Sequence, residues 1–151
     1  MSDTFSFTLE QQEDYAFLVR FGAGIPALLT DEPPPLGGGA GPNPARLLAA
    51  SAAHCLLASI VFALRKYKND PGKVSATVSG ALQRNEAGRL RIGQVSVDIR
   101  IGAEAAQLQH LDRILEQFED FCIVTQSVRS GFPVAVTVHD GAGKVLKSEK
   151  S

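Results

Sequence analysis

The chain has 151 residues, of which 44% are apolar and 21% are charged, and its formal net charge is −1. This length and balance are typical of a soluble globular protein, and we expect one domain over residues 1–151. The chain has no excess of basic residues of the kind that binds nucleic acid or an acidic membrane. We therefore expect neither partner.

The two ends of the chain suggest a cytoplasmic protein. The first residues carry an acid and no apolar stretch, so we expect no signal peptide. A chain with two cysteines and no export signal is expected in a reducing compartment, where a disulfide is more often transient and chemical than structural. The basic stretch 144–150 is predicted to be a solvated end.

The first third of the chain predicts strands followed by a loop. Residues 4–10 and 15–21 alternate apolar and polar side chains, which predicts two strands joined by the polar turn 11–14. Residues 25–29 predict a shorter third strand. Residues 31–42 are rich in proline and glycine and therefore predict a loop.

A long apolar helix is predicted next. Asn43 suits the N-cap and Pro44 the first helical position, and the helix is expected to reach about residue 69, a length of about 37 Å. Residues 47–64 carry no charge, which meets the length threshold for a membrane span. Because this stretch is rich in Ala and Ser and contains His54, we predict instead a helix buried on nearly all sides.

The second half predicts a hairpin, two helices and a strand. Residues 74–83 and 90–101 alternate around the turn 85–88. An apolar stripe predicts a helix over 103–118, a short helix is expected over 119–128, and residues 133–139 predict the last strand. This order, without alternation of strands and helices, predicts an α+β fold with mostly antiparallel pairing.

Each of the two cysteines has two interpretations. Cys55 lies in the middle of the long helix among small and apolar neighbours, and such a cysteine is most often just a small buried side chain. It is too far from the helix N-terminus to be activated there, so a low pKa needs a cation from another part of the fold. Cys122 lies near the start of the short helix, where N–H groups favour a thiolate, but a packed cysteine fits as well.

Other cofactor signals are missing from the sequence. The three histidines have no metal-ligand spacing with one another or with the cysteines, so we predict no metal. The glycine-rich run 37–41 lacks the residues of a phosphate-binding loop or of a dinucleotide fingerprint, and we interpret it as a connector. We therefore predict no cofactor.

Two segments together resemble the OsmC/Ohr family (osmotically inducible protein C and organic hydroperoxide resistance protein). Residues 41–55 read GPNPARLLAASAAHC, similar to the family's Gly-x-Asn-Pro helix start and the run that leads into its first active cysteine. Residues 120–128 read DFCIVTQSV, similar to the segment that bears the second cysteine. The order of elements also fits, so the resemblance extends over nearly the whole chain.

The resemblance implies a fold and an activity. It implies an OsmC-like domain with antiparallel sheets wrapped around a long central helix, in an intertwined homodimer. It also implies a peroxiredoxin-like hydroperoxide reductase, an antioxidant enzyme of the oxidative stress response. Cys55 would attack an organic hydroperoxide, Cys122 would form a disulfide with it, and an external dithiol would reduce the pair. The family uses an Arg from the N-terminal strands beside the thiolate, and Arg20 is our candidate.

One position departs from the family pattern. The family usually carries Glu directly after Asn-Pro, and this chain has Ala45 there. Asp31 or Glu32, in the preceding loop, is the candidate replacement. The departure leaves two alternatives to a peroxidase open, namely a non-catalytic dimer that binds a small apolar ligand and a redox sensor that uses the same thiols.

Overall fold

The computed structural model describes residues 3–149. The prediction about a signal peptide rests partly on Met1 and Ser2, which lie outside that range. The prediction of a solvated end extends to Lys150, which also lies outside it. The described chain divides into two compact units, one ending at Leu48 and one starting at Ala49, and each is described here by itself.

The first unit contains a three-stranded antiparallel sheet. Its strands are β1 (Thr8–Gln11), β2 (Phe17–Arg20) and β3 (Leu28–Thr30), in the order β1-β2-β3. The three strands lie where the alternating patterns predicted them, although β1 and β2 are shorter and β3 begins later than expected. Val19 of β2 is buried, and the pleat therefore turns its neighbour Arg20 to the exposed side.

A loop follows β3, as predicted, and Asp31 holds it in shape. Its carboxylate accepts the backbone N–H groups of Glu32 at 2.8 Å and Ala40 at 3.0 Å. The hydrogen bond from Ala40 is the main reason why the pKa of Asp31 lies below its ordinary value, and burial opposes the effect. The loop ends at Gly41, where a Cβ atom would lie 2.1 Å from the Leu29 carbonyl oxygen, so only glycine fits.

The long helix α1 spans Pro44–Lys66. The predicted N-cap is confirmed, because the Asn43 side chain accepts the Arg46 N–H at 3.0 Å. The helix ends three residues earlier than expected, and Lys68 then takes a left-handed conformation with φ 61°. One face of α1 is buried, and its core residues are Ala52, Ala53, Leu56, Ile60 and Leu64.

The opposite face of α1 is open in the single chain. Phe62 is 66% exposed, and Ser51, His54 and Ala58 are exposed as well. The expectation of burial on nearly all sides is therefore not met within one chain. By length and composition alone α1 could cross a membrane, with a mean hydropathy of 2.2, and 28% of that window is buried. A core helix of a soluble protein passes the same test, so the criterion does not distinguish the two.

The second unit contains a four-stranded sheet in the order β4-β5-β6-β7. The predicted hairpin is confirmed as β4 (Ser75–Arg84) and β5 (Leu90–Arg100), and the last predicted strand as β6 (Val134–His139). Strands β5 and β6 run parallel, whereas the other strand pairs are antiparallel as predicted, and the chain between β5 and β6 forms a crossover.

The basic stretch was predicted wrongly. Residues Val145–Glu149 form strand β7, which pairs antiparallel with β6. The side chain of Lys147 in this strand is only 11% exposed. The stretch that was predicted to be solvated therefore contains a strand, and Lys147 of that strand forms a buried ion pair with Glu119.

The crossover from β5 to β6 is helical in short pieces. It contains a 3-10 turn at Ala105–Gln107, helix α2 (Leu111–Gln117), a 3-10 turn at Phe118–Phe121 and helix α3 (Ile123–Val128). The prediction of one helix over 103–118 is wrong in its first half. His110 has φ 57°, which no α-helix accommodates, and the Asn69 side chain bonds both backbone groups of Gln109, at 2.9 and 2.7 Å.

These elements share one apolar core in the second unit. It joins the buried face of α1 to the inner face of the sheet and to α2. Its fully buried members include Leu56, Ile60, Leu64, Val95, Val97, Ile99, Phe118, Val134, Val136 and Val138. The α+β class predicted from the order of elements is confirmed.

Candidate active site

The fold brings the two cysteines together. Cys55 lies in the middle of α1, and Cys122 lies between the 3-10 turn and α3. The Cys55 side chain lies close enough to Cys122 to raise the pKa of its thiol, and neither cysteine is in a disulfide. Two segments that are far apart in sequence therefore place their sulfur atoms side by side.

The two thiols differ in access. Cys122 is fully buried, with no exposed surface. Cys55 is half-buried, because it lies on α1 at the border between the buried face, with Ala52 and Leu56, and the exposed face, with Ser51. Cys55 is therefore the more accessible of the two thiols.

The surroundings of Cys122 favour its protonated form. Burial is the main cause that raises the pKa of this thiol, and the hydrogen bond with Cys55 raises it further. The hydroxyl and the backbone N–H of Thr125 act in the opposite direction but are outweighed. Of the two interpretations of Cys122, this direction agrees with the packed cysteine, because burial has a larger effect than the hydrogen bonds at the start of the helix.

Thr125 ties the Cys122 segment to α1. The Cys122 thiol donates to the Thr125 hydroxyl oxygen at 2.9 Å, and that hydroxyl donates to the Ala52 carbonyl oxygen at 3.3 Å. Ala52 lies one helical turn before Cys55, so this chain of hydrogen bonds positions one thiol against the other. Thr125 is fully buried. The sequence analysis missed it, although its position three residues after Cys122, at a helix start, is where a side chain can face the preceding cysteine.

A buried ion cluster lies beside the Cys122 segment. Glu119, which is 5% exposed, forms ion pairs with Arg129 and, at 2.5 Å, with Lys147. Burial alone raises the pKa of Glu119, but the hydrogen bonds from Lys147 and Arg129 together bring it below the ordinary value. The Glu119 carbonyl also accepts the Cys122 N–H at 3.0 Å, so the cluster fixes the backbone that carries this cysteine. No sequence pattern linked Glu119, Arg129 and Lys147, the three residues of this ion cluster.

The remaining candidate residues lie in the first unit. Arg20 is exposed at the end of β2, and Glu32 is half-buried in the loop after β3. Both carboxylate oxygens of Asp31 accept backbone N–H groups of that loop, which gives Asp31 a structural task. Ala45 lies in the first turn of α1, which carries no acid. Over residues 3–149, no cluster of three or more His, Cys, Asp or Glu side chains could hold a metal.

A cavity of about 550 Å³ lies on the second unit. It opens between the distal part of the β4–β5 hairpin and the turn before β6, and its lining includes Leu90, Arg91 and Phe132 but neither cysteine. The thiol pair therefore remains the centre with the clearest chemical capacity.

Comparison with known proteins identifies the family of this chain. The sequence profile of the OsmC-like protein family matches residues 37–137, which include both cysteines. No curated protein matches the chain in sequence.

Several solved structures share the fold. An OsmC-like protein of unknown function from Vibrio cholerae superposes with a TM-score of 0.76 at 17% identity, over 91% of this chain and 99% of its own. An organic hydroperoxide resistance protein from Elizabethkingia anophelis superposes with a TM-score of 0.69 at 19% identity, over 93% of this chain and 99% of its own. An organic hydroperoxide resistance protein OsmC from Legionella pneumophila superposes with a TM-score of 0.69 at 19% identity, over 91% of this chain and 98% of its own.

The family profile covers well over half of the chain, and the solved structures reproduce its order of strands and helices over almost their full length. The family resemblance that the two cysteine segments predicted is confirmed, and the chain belongs to the OsmC family.

Proposed function

We propose that this protein is a thiol-dependent peroxidase that reduces organic hydroperoxides through Cys55 and Cys122. The observation that carries the proposal is the pairing of a half-buried thiol, Cys55, with a fully buried one, Cys122, whose pKa it influences. This asymmetry suits two successive roles, because the exposed thiol can meet an oxidant while the buried one can meet only its neighbour. The names of the Elizabethkingia and Legionella proteins, which share this fold, agree with that chemistry.

The reaction follows from the order of access. The Cys55 thiolate attacks the O–O bond of the hydroperoxide, so that an S–O bond forms and the alcohol leaves. Cys122 then attacks the sulfenic acid of Cys55, so that the S–S bond forms, the S–O bond breaks and water leaves. An external dithiol reduces the disulfide by exchange and becomes a disulfide itself.

Two further parts of the proposal concern Cys55. The thiolate needs a nearby cation, and Arg20 remains our candidate for it. The helix face around Cys55 is formed by Ala, Ser, Leu and Phe side chains, which favours a hydroperoxide with an apolar tail over hydrogen peroxide. Because Ala45 cannot act as the family's Glu does, we expect slower turnover than is usual for the family.

We also propose a cytoplasmic homodimer. The uncharged face of α1 that contains Phe62 is open in the single chain, and long exposed apolar faces are uncommon on monomers. A reducing compartment keeps both thiols free until an oxidant arrives.

The test of the activity is mass spectrometry after one equivalent of cumene hydroperoxide. We expect the wild-type protein to lose two hydrogens as the Cys55–Cys122 disulfide forms. In Cys122→Ser we expect a sulfenic acid on Cys55 that a dimedone probe traps, and in Cys55→Ser we expect no consumption of oxidant. Arg20→Met is expected to slow the oxidation of Cys55, with Arg20→Lys as its control.

The alternatives make different predictions in the same experiment. A redox sensor, which the missing Glu at Ala45 favours, would form the disulfide once but would not turn over with a dithiol present. If Cys55 stays unmodified while the hydroperoxide is untouched, the peroxidase proposal is wrong and a non-catalytic dimer that binds a small apolar ligand remains.

A further inference from the structure

Thr125 links the Cys122 thiol to the backbone of α1 through two hydrogen bonds. Its hydroxyl oxygen accepts the thiol proton of Cys122, while its own proton is donated to the Ala52 carbonyl. A hydroxyl has one proton and two acceptor lone pairs, so this arrangement satisfies it while Cys122 is protonated. All three residues of this chain of hydrogen bonds are buried.

We propose that Thr125 is a positioning residue whose hydroxyl switches its hydrogen bond from the Ala52 carbonyl to the Cys122 sulfur when that thiol gives up its proton. In the resting state the thiol donates to the hydroxyl. Once the proton is gone, the sulfur can only accept, and a rotation of the Thr125 side chain brings the hydroxyl proton to it. A hydrogen bond to a charged acceptor is stronger than one to a carbonyl, so the rotation is favourable.

This inference rests on the proposed function for its biological setting, since it assigns a role in the second step of that reaction. There, Cys122 loses its proton, its sulfur forms the S–S bond with Cys55, and the leaving hydroxide takes up a proton and departs as water. The Thr125 hydroxyl lowers the cost of the sulfur anion in a site where burial otherwise opposes it. The first step, at Cys55, does not involve this hydroxyl.

The same second step can be measured without a peroxide. The thiolate of Cys55 attacks 5,5′-dithiobis(2-nitrobenzoate), which leaves a mixed disulfide on Cys55 and releases one nitrothiobenzoate. Cys122 then loses its proton and attacks the Cys55 sulfur, so the protein disulfide forms and a second nitrothiobenzoate leaves. Two protein thiols are oxidised, and the reagent is reduced to two coloured thiolates. The two phases of absorbance report the two cysteines separately.

Two variants separate the hydrogen bond from packing. Thr125→Val keeps the shape and loses the hydroxyl, whereas Thr125→Ser keeps the hydroxyl and loses the methyl group. We expect Thr125→Val to leave the first phase unchanged and to slow the second by about tenfold, with its pH profile displaced upward. Thr125→Ser is expected to restore the second phase and its pH profile. Thr125→Ala, which cannot overpack the site, gives the same comparison if the valine variant does not fold.

The outcomes distinguish this inference from the proposed function. A second phase in Thr125→Val with wild-type rate and pH profile would overturn it, as would a serine variant that behaves like the valine variant. If the expected phases are found but the wild-type protein does not consume cumene hydroperoxide, the role of Thr125 stands and the peroxidase proposal fails.

Discussion

The buried ion cluster gives a prediction whose size follows from the geometry. Glu119→Gln keeps the shape of the side chain and removes its charge, so Lys147 and Arg129 lose their common counter-ion. Removing one partner of a buried ion pair typically costs about 3–5 kcal/mol in the free energy of unfolding.

The structure points to the lower end of that range. Lys147 also donates to the Leu115 carbonyl at 2.7 Å, and Arg129 to the Val134 carbonyl at 3.2 Å. The side chain of Arg129 is 23% exposed, so water can solvate part of its charge. We therefore expect a loss of about 3 kcal/mol, which lowers the urea midpoint by roughly 1.5 M for an m-value of about 2 kcal/mol/M.

The effect has a characteristic pH dependence. The pKa of Glu119 is lower in the folded protein than its ordinary value of 4.5, so its stabilising contribution is complete above that pH. It is lost as the pH falls through the lower pKa of the folded state. The difference between wild type and Glu119→Gln should therefore be constant near neutral pH and should shrink in acid.

The assay is urea unfolding at one fixed protein concentration, because association changes the apparent stability. Glu116→Gln, at an exposed position of α2, is the matched control and should change the stability by less than about 0.5 kcal/mol. A Glu119→Gln protein within 1 kcal/mol of wild type at neutral pH, with an unchanged m-value, would show that the cluster is solvated and our reasoning wrong.

Three further predictions concern the core, the thiol and the open helix face. Leu56→Ala should lower the free energy of unfolding by about 3 kcal/mol in urea, because Leu56 has no exposed surface, and a loss under 1 kcal/mol would contradict that packing. Above pH 9, the ordinary value for cysteine, wild-type stability should fall relative to Cys122→Ala by up to about 1.4 kcal/mol per pH unit, because the unfolded thiol ionises first and the folded pKa is raised; parallel curves for the two proteins would refute this. Light scattering at micromolar concentration should give a dimer mass for wild type and for Arg113→Glu, at an exposed position of α2, but a monomer mass for Phe62→Glu, whereas a monomeric wild type would exclude the dimer.

Local signals predicted the parts of the fold that local interactions determine. The start of α1 needs only Asn43 and Pro44, and the β4–β5 hairpin needs only alternation around a turn. The prediction of a helix over 103–118 was wrong in its first half because a contact with a residue distant in sequence fixes the backbone there. Asn69 holds the backbone of Gln109, and no local pattern contains that contact.

The candidate site was predictable in its thiols but not in their surroundings. The family resemblance identified both cysteine segments. Burial raises the pKa of Cys122, and the sequence does not show how deeply this residue is buried. The sequence shows only that Cys122 lies at a helix start, where N–H groups lower the pKa. Lys147 was read as part of a solvated end because its counter-ion, Glu119, comes from another element.

The parallel pairing of β5 with β6 has a consequence for synthesis on the ribosome. Strand β5 leaves the ribosome well before β6, its parallel partner, and β7 follows later still. Until Lys147 emerges, the nascent chain carries Glu119 without one of its two cations, and the outer edge of β6 lacks the strand that covers it. The sheet therefore closes late, and a chaperone that shields nascent strand edges has its longest opportunity at β5.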